Sequence, residues 1–97
     1  MILEKFHKAF ENKVRLGIMS VLMVNDAMSF NELKELLELT DGNLASHLKA
    51  LEKFDFIDVK KEFIDRKPNT TYLSTSLGRK AFEDHLLALE ELLKEHR

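Results

Sequence analysis

The sequence predicts a mainly α protein that carries one small β-hairpin. Apolar residues recur at three- and four-residue steps through the first half of the chain and again at its end. The pattern changes to alternation only between about residues 57 and 74. Turn residues are scarce, with 3 Gly and 1 Pro in 97 residues, which leaves little room for tandem hairpins or long loops.

Taken in order, the first helix is predicted from about Leu3 to about Asn25. Phe6, Phe10, Val14, Gly17, Ile18, Val21 and Leu22 form its apolar stripe. Ser29-Phe30-Asn31-Glu32 has the S-x-x-E spacing of a capping box and opens a short helix, about Phe30 to Leu37. Glu38 and Leu39 make a tight turn, and Thr40 caps a third helix from Asp41 to about Phe54. Two short helices joined this way, over about residues 29–54, match a helix-turn-helix. The alternation of Ile57, Val59, Lys61 and Phe63 against Asp58, Lys60 and Glu62 then reads as a strand. Asp65 to Asn69 reads as a turn with Pro68 and Asn69 at its centre, and Thr70 to Ser74 as the return strand. This wing covers about residues 57–74. Thr75 caps a last helix, about residues 76–95, with Phe82, Leu86, Leu89 and Leu93 as its stripe, widened by Leu92. The elements compose a winged helix-turn-helix, expected as a single domain over residues 1–97.

Composition narrows the function. The chain has no cysteine, which removes disulfides, thiolate metal sites and cysteine catalysis, and suits a reducing compartment. No apolar run approaches membrane-spanning length, and Met1 to Phe10 lacks signal-peptide order, so a cytoplasmic protein without a membrane partner is expected. There is no Gly-rich phosphate loop, no H-E-x-x-H and no nucleophile elbow, so an enzyme and a bound cofactor are not expected. The net charge is −2, but its distribution is uneven. Residues 40–80 hold eight basic and six acidic groups, whereas residues 81–97 hold two basic and five acidic ones. A basic middle in an acidic frame suits a protein that turns one face toward phosphates.

The third helix carries the functional expectation. At about 100° per residue, Leu44, Leu48 and Leu51 share one side, and Gly42, Ser46, Lys49 and Lys53 fall opposite, flanked by Asn43. Small polar groups near the helix start can approach base edges, and lysines further along can meet phosphates. Thr40, Gly42, Asn43, Ser46, His47, Lys49 and Lys53 are therefore the candidate recognition residues. Lys60, Lys61, Arg66, Lys67 and Asn69 are the candidate wing contacts to backbone or minor groove.

The stretch Gly42-Asn43-Leu44-Ala45-Ser46-His47-Leu48-Lys49-Ala50-Leu51-Glu52, then Phe56-Ile57-Asp58-Val59, then Arg66-Lys67-Pro68-Asn69-Thr70-Thr71-Tyr72, then Thr75 and Gly78-Arg79, resembles the winged-helix regulators of the MarR/ArsR type. The resemblance spans nearly the whole chain. It implies a homodimeric transcriptional regulator that binds double-stranded DNA, with dimer contacts from the terminal helices. Two positions depart from the family pattern: Ser74 stands where a leucine is usual, and Asp55 where a glycine is usual.

Phe6, Phe10, Phe82, Leu86, Leu89, Leu92 and Leu93 exceed what one small domain needs at its edges, and a second copy would cover them. His85 and His96, with Glu83 nearby, are weakly similar to the zinc-sensing site on the last helix of some ArsR-type repressors. Surface histidines are far commoner, and no metal is expected. Two rival readings remain, a protein-interaction module of the same fold without DNA binding, which the acidic net charge favours, and a metal- or ligand-responsive repressor.

Overall fold

The computed structural model describes residues 1–95. Two 3-10 turns, Ile2–Lys5 and Lys8–Phe10, precede α1 (Lys13–Val24), β1 (Met28–Ser29), α2 (Phe30–Leu37), α3 (Asp41–Lys53), β2 (Ile57–Ile64), β3 (Lys67–Ser74) and α4 (Ser76–Glu95). The winged helix-turn-helix is thus present, with a third strand added. β1 pairs with β3 through Met28–Tyr72 and Ser29–Thr71, giving an antiparallel sheet in the order β1-β3-β2. A two-residue strand is too short to show any alternation in sequence.

The first helix is shorter than its apolar stripe suggests. Asn12 is extended, and its Oδ1 accepts the N–H groups of Val14 at 2.9 Å and Arg15 at 3.1 Å, which starts α1 there. His7 does the same for the second 3-10 turn, its Nδ1 accepting the Ala9 N–H at 3.0 Å. Side chains that satisfy nearby amides compete with helix continuation. Phe6 and Phe10 still point inward, but from an irregular strap. Phe6 meets His85 edge-on at 4.9 Å between ring centroids, and Phe10 lies 5.7 Å from Phe56 and 5.2 Å from Phe82.

The helix-turn-helix forms as its caps dictate. The Ser29 N–H donates to Glu32 Oε1 at 2.9 Å and the Glu32 N–H to Ser29 Oγ at 3.1 Å. Glu38 closes α2 in the left-handed region at φ 54°, and Thr40 Oγ1 accepts the Asn43 N–H at 3.2 Å. Lys34 reaches across the turn to Asp41 at 2.8 Å. The buried cluster takes Ile18, Met19 and Leu22 from α1, Leu33 from α2, Leu44, Leu48 and Leu51 from α3, and Phe56 and Phe82 beyond.

The wing turns earlier than its composition suggests. Ile64 pairs with Lys67, so Asp65 and Arg66 are the two central residues, at φ 52° and 68°. Two positive φ values in a two-residue loop match the twist of a hairpin, although neither residue is glycine. Pro68 and Asn69 are strand residues, paired with Phe63 and Glu62. The pair flanking such a turn exchanges hydrogen bonds, so the next pair, Phe63 and Pro68, does not need the missing proline N–H.

Both departures from the family pattern have a local account. Asp55 ends α3 in the left-handed region at φ 60°, a conformation that glycine takes freely and aspartate tolerates. Ser74 Oγ accepts from Arg79 Nη1 at 2.9 Å and donates to the Leu22 carbonyl at 3.4 Å, while Arg79 Nη2 donates to the Met23 carbonyl at 3.2 Å. Together they satisfy two carbonyls at the end of α1.

Gly78 is where α4 meets the start of the wing. A Cβ there would stand 2.2 Å from the Phe56 carbonyl oxygen. Backbone cannot yield as a flexible side chain does. Gly78→Ala should therefore destabilise the fold by about 1–3 kcal/mol, read as a Tm drop of several degrees in thermal unfolding. An unchanged Tm would mean that α4 can slide away from Phe56.

Candidate nucleic-acid interface

α3 exposes the side that its sequence period assigns to recognition. Leu44, Leu48 and Leu51 are buried, and Thr40, Gly42, Asn43, Ser46, Lys49 and Lys53 are exposed. A Cβ on Gly42 would meet no atom within 4 Å, so packing does not require glycine there. Its missing side chain leaves the first turn of α3 open to close approach. Thr40 spends its hydroxyl on the cap, which makes it first a structural residue.

His47 is held rather than free. Its Nδ1 lies 3.3 Å from Arg15 Nη1, and Arg15 Nε donates to the Ala9 carbonyl at 2.7 Å. Burial, and secondarily the Arg15 charge, lower its pKa, which keeps the ring neutral and Nδ1 able to accept. Arg15 thus ties the N-terminal strap to the middle of α3. Sequence reasoning missed it, because its partners are a backbone carbonyl six residues away and a ring 32 residues away.

On the wing, cross-strand pairing sorts the candidates onto two faces. Lys61 shares one face with Phe63, Pro68, Thr70 and the half-buried Tyr72. Lys60, Lys67 and Asn69 lie on the other face with Asp58, Glu62 and Ile64. Lys60 sits 3.9 Å from Glu62, which blunts its charge. Asn69 is set back beside Glu62 and leaves Arg66 alone at the tip with Asp65. Among the described residues, Lys49, Lys53, Lys61, Arg66 and Lys67 are in no ion pair. The acidic neighbours of α3 are partly neutralised, since Asp41 is held by Lys34.

The candidate dimer residues divide. Phe10 and Phe82 are in the core of this chain and Phe6 is covered by His85, so one chain already accounts for them. α4 turns Gly78, Phe82 and Ala88 inward, with His85 and Leu92 partly covered. Leu86, Leu89 and Leu93 remain 46–61% exposed in a neighbouring stripe at three- and four-residue steps. His85 Nδ1 is buried without a partner, and no group of three potential metal ligands occurs among the described residues. His96 lies outside the described residues. No described helix is long and apolar enough to cross a membrane.

Comparison with known proteins points the same way. A family model described as a winged helix DNA-binding domain matches residues 14–93. An uncharacterised protein of Methanocaldococcus jannaschii is 40% identical over 87 residues, covering 90% of this chain and 95% of that protein. The structure of a transcriptional regulator homologue from Pyrococcus horikoshii OT3 superposes with a TM-score of 0.86 at 32% identity, covering 96% of this chain and 94% of that one. MepR of S. aureus, solved in a complex with DNA, shares the fold at a TM-score of 0.77 and 16% identity, with 94% and 77% of the two chains covered.

Three histidines, His7, His47 and His85, have pKa values lowered by burial, reinforced in turn by Lys8, Arg15 and His7. Each neutral ring contributes stability that is complete above the usual value of 6.5 and is lost as pH falls through the lowered native value. The Tm should therefore fall as the pH drops below about 6.5. His85→Phe removes one titration and the unpartnered Nδ1, so it should flatten that decline. A slope equal to that of the wild type would show that His85 is not among the titrating groups.

Proposed function

The chain belongs to the winged helix DNA-binding domain family, and on that premise we propose that it is a homodimeric transcriptional regulator binding duplex DNA sequence-specifically. α3 enters the major groove, and the wing lies along the flanking backbone or minor groove. The observation that carries this reading is the exposed face of α3, running from Gly42, Asn43 and Ser46 to Lys49 and Lys53. Asn43 offers an amide suited to two hydrogen bonds with adenine, and Ser46 can donate or accept. Lys49, Lys53 and the wing cations neutralise phosphates.

The acidic total charge does not oppose this, because residues 40–80 carry eight basic against six acidic groups, and phosphate contacts act over a Debye length of about 8 Å at physiological salt. The exposed Leu86, Leu89 and Leu93 stripe supports a dimer through α4. A two-fold dimer then sets two α3 helices about 34 Å apart and requires a near-palindromic site.

Selection from a genomic fragment pool tests binding and supplies the operator. Lys49→Ala with Lys53→Ala should weaken binding to all selected fragments. It should also lower the log–log salt slope by about 0.9 for each phosphate that is no longer neutralised. Unchanged affinity and slope would remove α3 from the interface. Leu89→Lys should shift the protein to monomer in sedimentation and weaken operator binding. A Leu89→Lys protein that stays dimeric would move the dimer contact off α4.

A further inference from the structure

The wing tip exposes apolar surface that the fold does not use. Phe63 is 78% exposed and Ile64 50%, at the far end of β2 from the core. Phe63 and Pro68 are cross-strand partners, so a ring and a pyrrolidine stand side by side on one face. Lys61 shares that face, Arg66 stands at the adjoining tip and Lys67 projects from the opposite face, with none of the three cations ion-paired among the described residues. Exposed sheet edges are ordinarily blunted by charge, proline or bulges, since bare apolar edges invite aggregation, and an exposed phenylalanine is none of these. An aromatic set among such cations instead matches a partner with a negative rim and a flat apolar interior, as a DNA groove has.

We infer that Phe63, backed by Pro68, is an apolar wedge that the wing drives into the minor groove against a base step. This rests on the DNA-binding reading above. Geometry favours a wedge over simple insertion. Two strands stand about 4.8 Å apart before their side chains are counted, and an undistorted minor groove is only about 6 Å wide. The ribbon fits only where the groove is opened. Apolar side chains that part a base step open it and kink the duplex away, by roughly 20–90°. Lys61 and Arg66 meet the phosphates that line the opened groove.

The test uses the full chain and an operator duplex taken from wild-type selection, with dyes at its two ends and 2-aminopurine at the wing-proximal step. Wild-type protein should shorten the end-to-end distance and raise the 2-aminopurine fluorescence. Phe63→Ala should abolish both signals and bind about tenfold more weakly, with an unchanged salt slope. Phe63→Leu should restore most of the bend. Because Phe63 is outside the core, the Tm of both variants should match the wild type, which separates this effect from misfolding. If the wild type binds an unbent duplex and Phe63→Ala binds equally well, the wedge is overturned, DNA binding stands, and the exposed tip serves a protein surface instead. If the wild type selects no fragment at all, the DNA-binding reading falls and the wedge with it.

Discussion

Four segments of the chain are pinned at the peptide between Asp55 and Phe56. The Phe56 N–H closes the end of α3 by donating to the Leu51 carbonyl, and its own carbonyl accepts the Thr75 N–H at 3.0 Å. Thr75 Oγ1 donates to the Asp55 carbonyl at 2.6 Å and accepts the Gly78 N–H at 2.9 Å, which caps α4. The end of α3, the start of β2, the end of β3 and the first turn of α4 therefore share one hydrogen-bonded node. Glycine at 78 is what lets the helix come this close. The angle between α3 and the wing is set at this node.

A second tier of contacts ties the ends of the chain to that node. His7 packs against Phe54 and Phe56 at 5.0 and 4.8 Å, and Lys8 lies over the Phe54 ring at 5.7 Å. From the same strap, Phe6 and Phe10 reach His85 on α4, and the Lys8 and Ala9 carbonyls receive Arg15. The strap is in contact with α4 on one side and with α3, through Arg15 and His47, on the other. α4 and α3 are thereby joined by one series of contacts that passes through the core residue Phe10 and the Ala9 carbonyl.

The legible parts of the fold were those written in local chemistry. Ser29 with Glu32, and Thr40, state their helix starts within four residues, and the three leucines of α3 state its buried side. What escaped depended on distant partners or on small residues. The apolar spacing of Phe6 and Phe10 was real burial, but the caps at His7 and Asn12 interrupt the helix that it implied. On α4 the inward positions include Gly78, Ala81, His85 and Ala88, which carry little hydrophobic signal, while larger leucines face outward. The wing turn was misplaced because Pro68 and Asn69 have turn-like composition, whereas the turn is made by Asp65 and Arg66. At the interface the exposed face of α3 was readable from its period alone, and the anchoring of His47 by Arg15 was not.

The Asp65-Arg66 turn has an evolutionary consequence. Nothing in the core touches it, and its two residues hold positive φ angles that glycine or asparagine would adopt more easily. Exchange there costs the fold little, so the wing can drift in sequence while the node at Phe56 stays fixed.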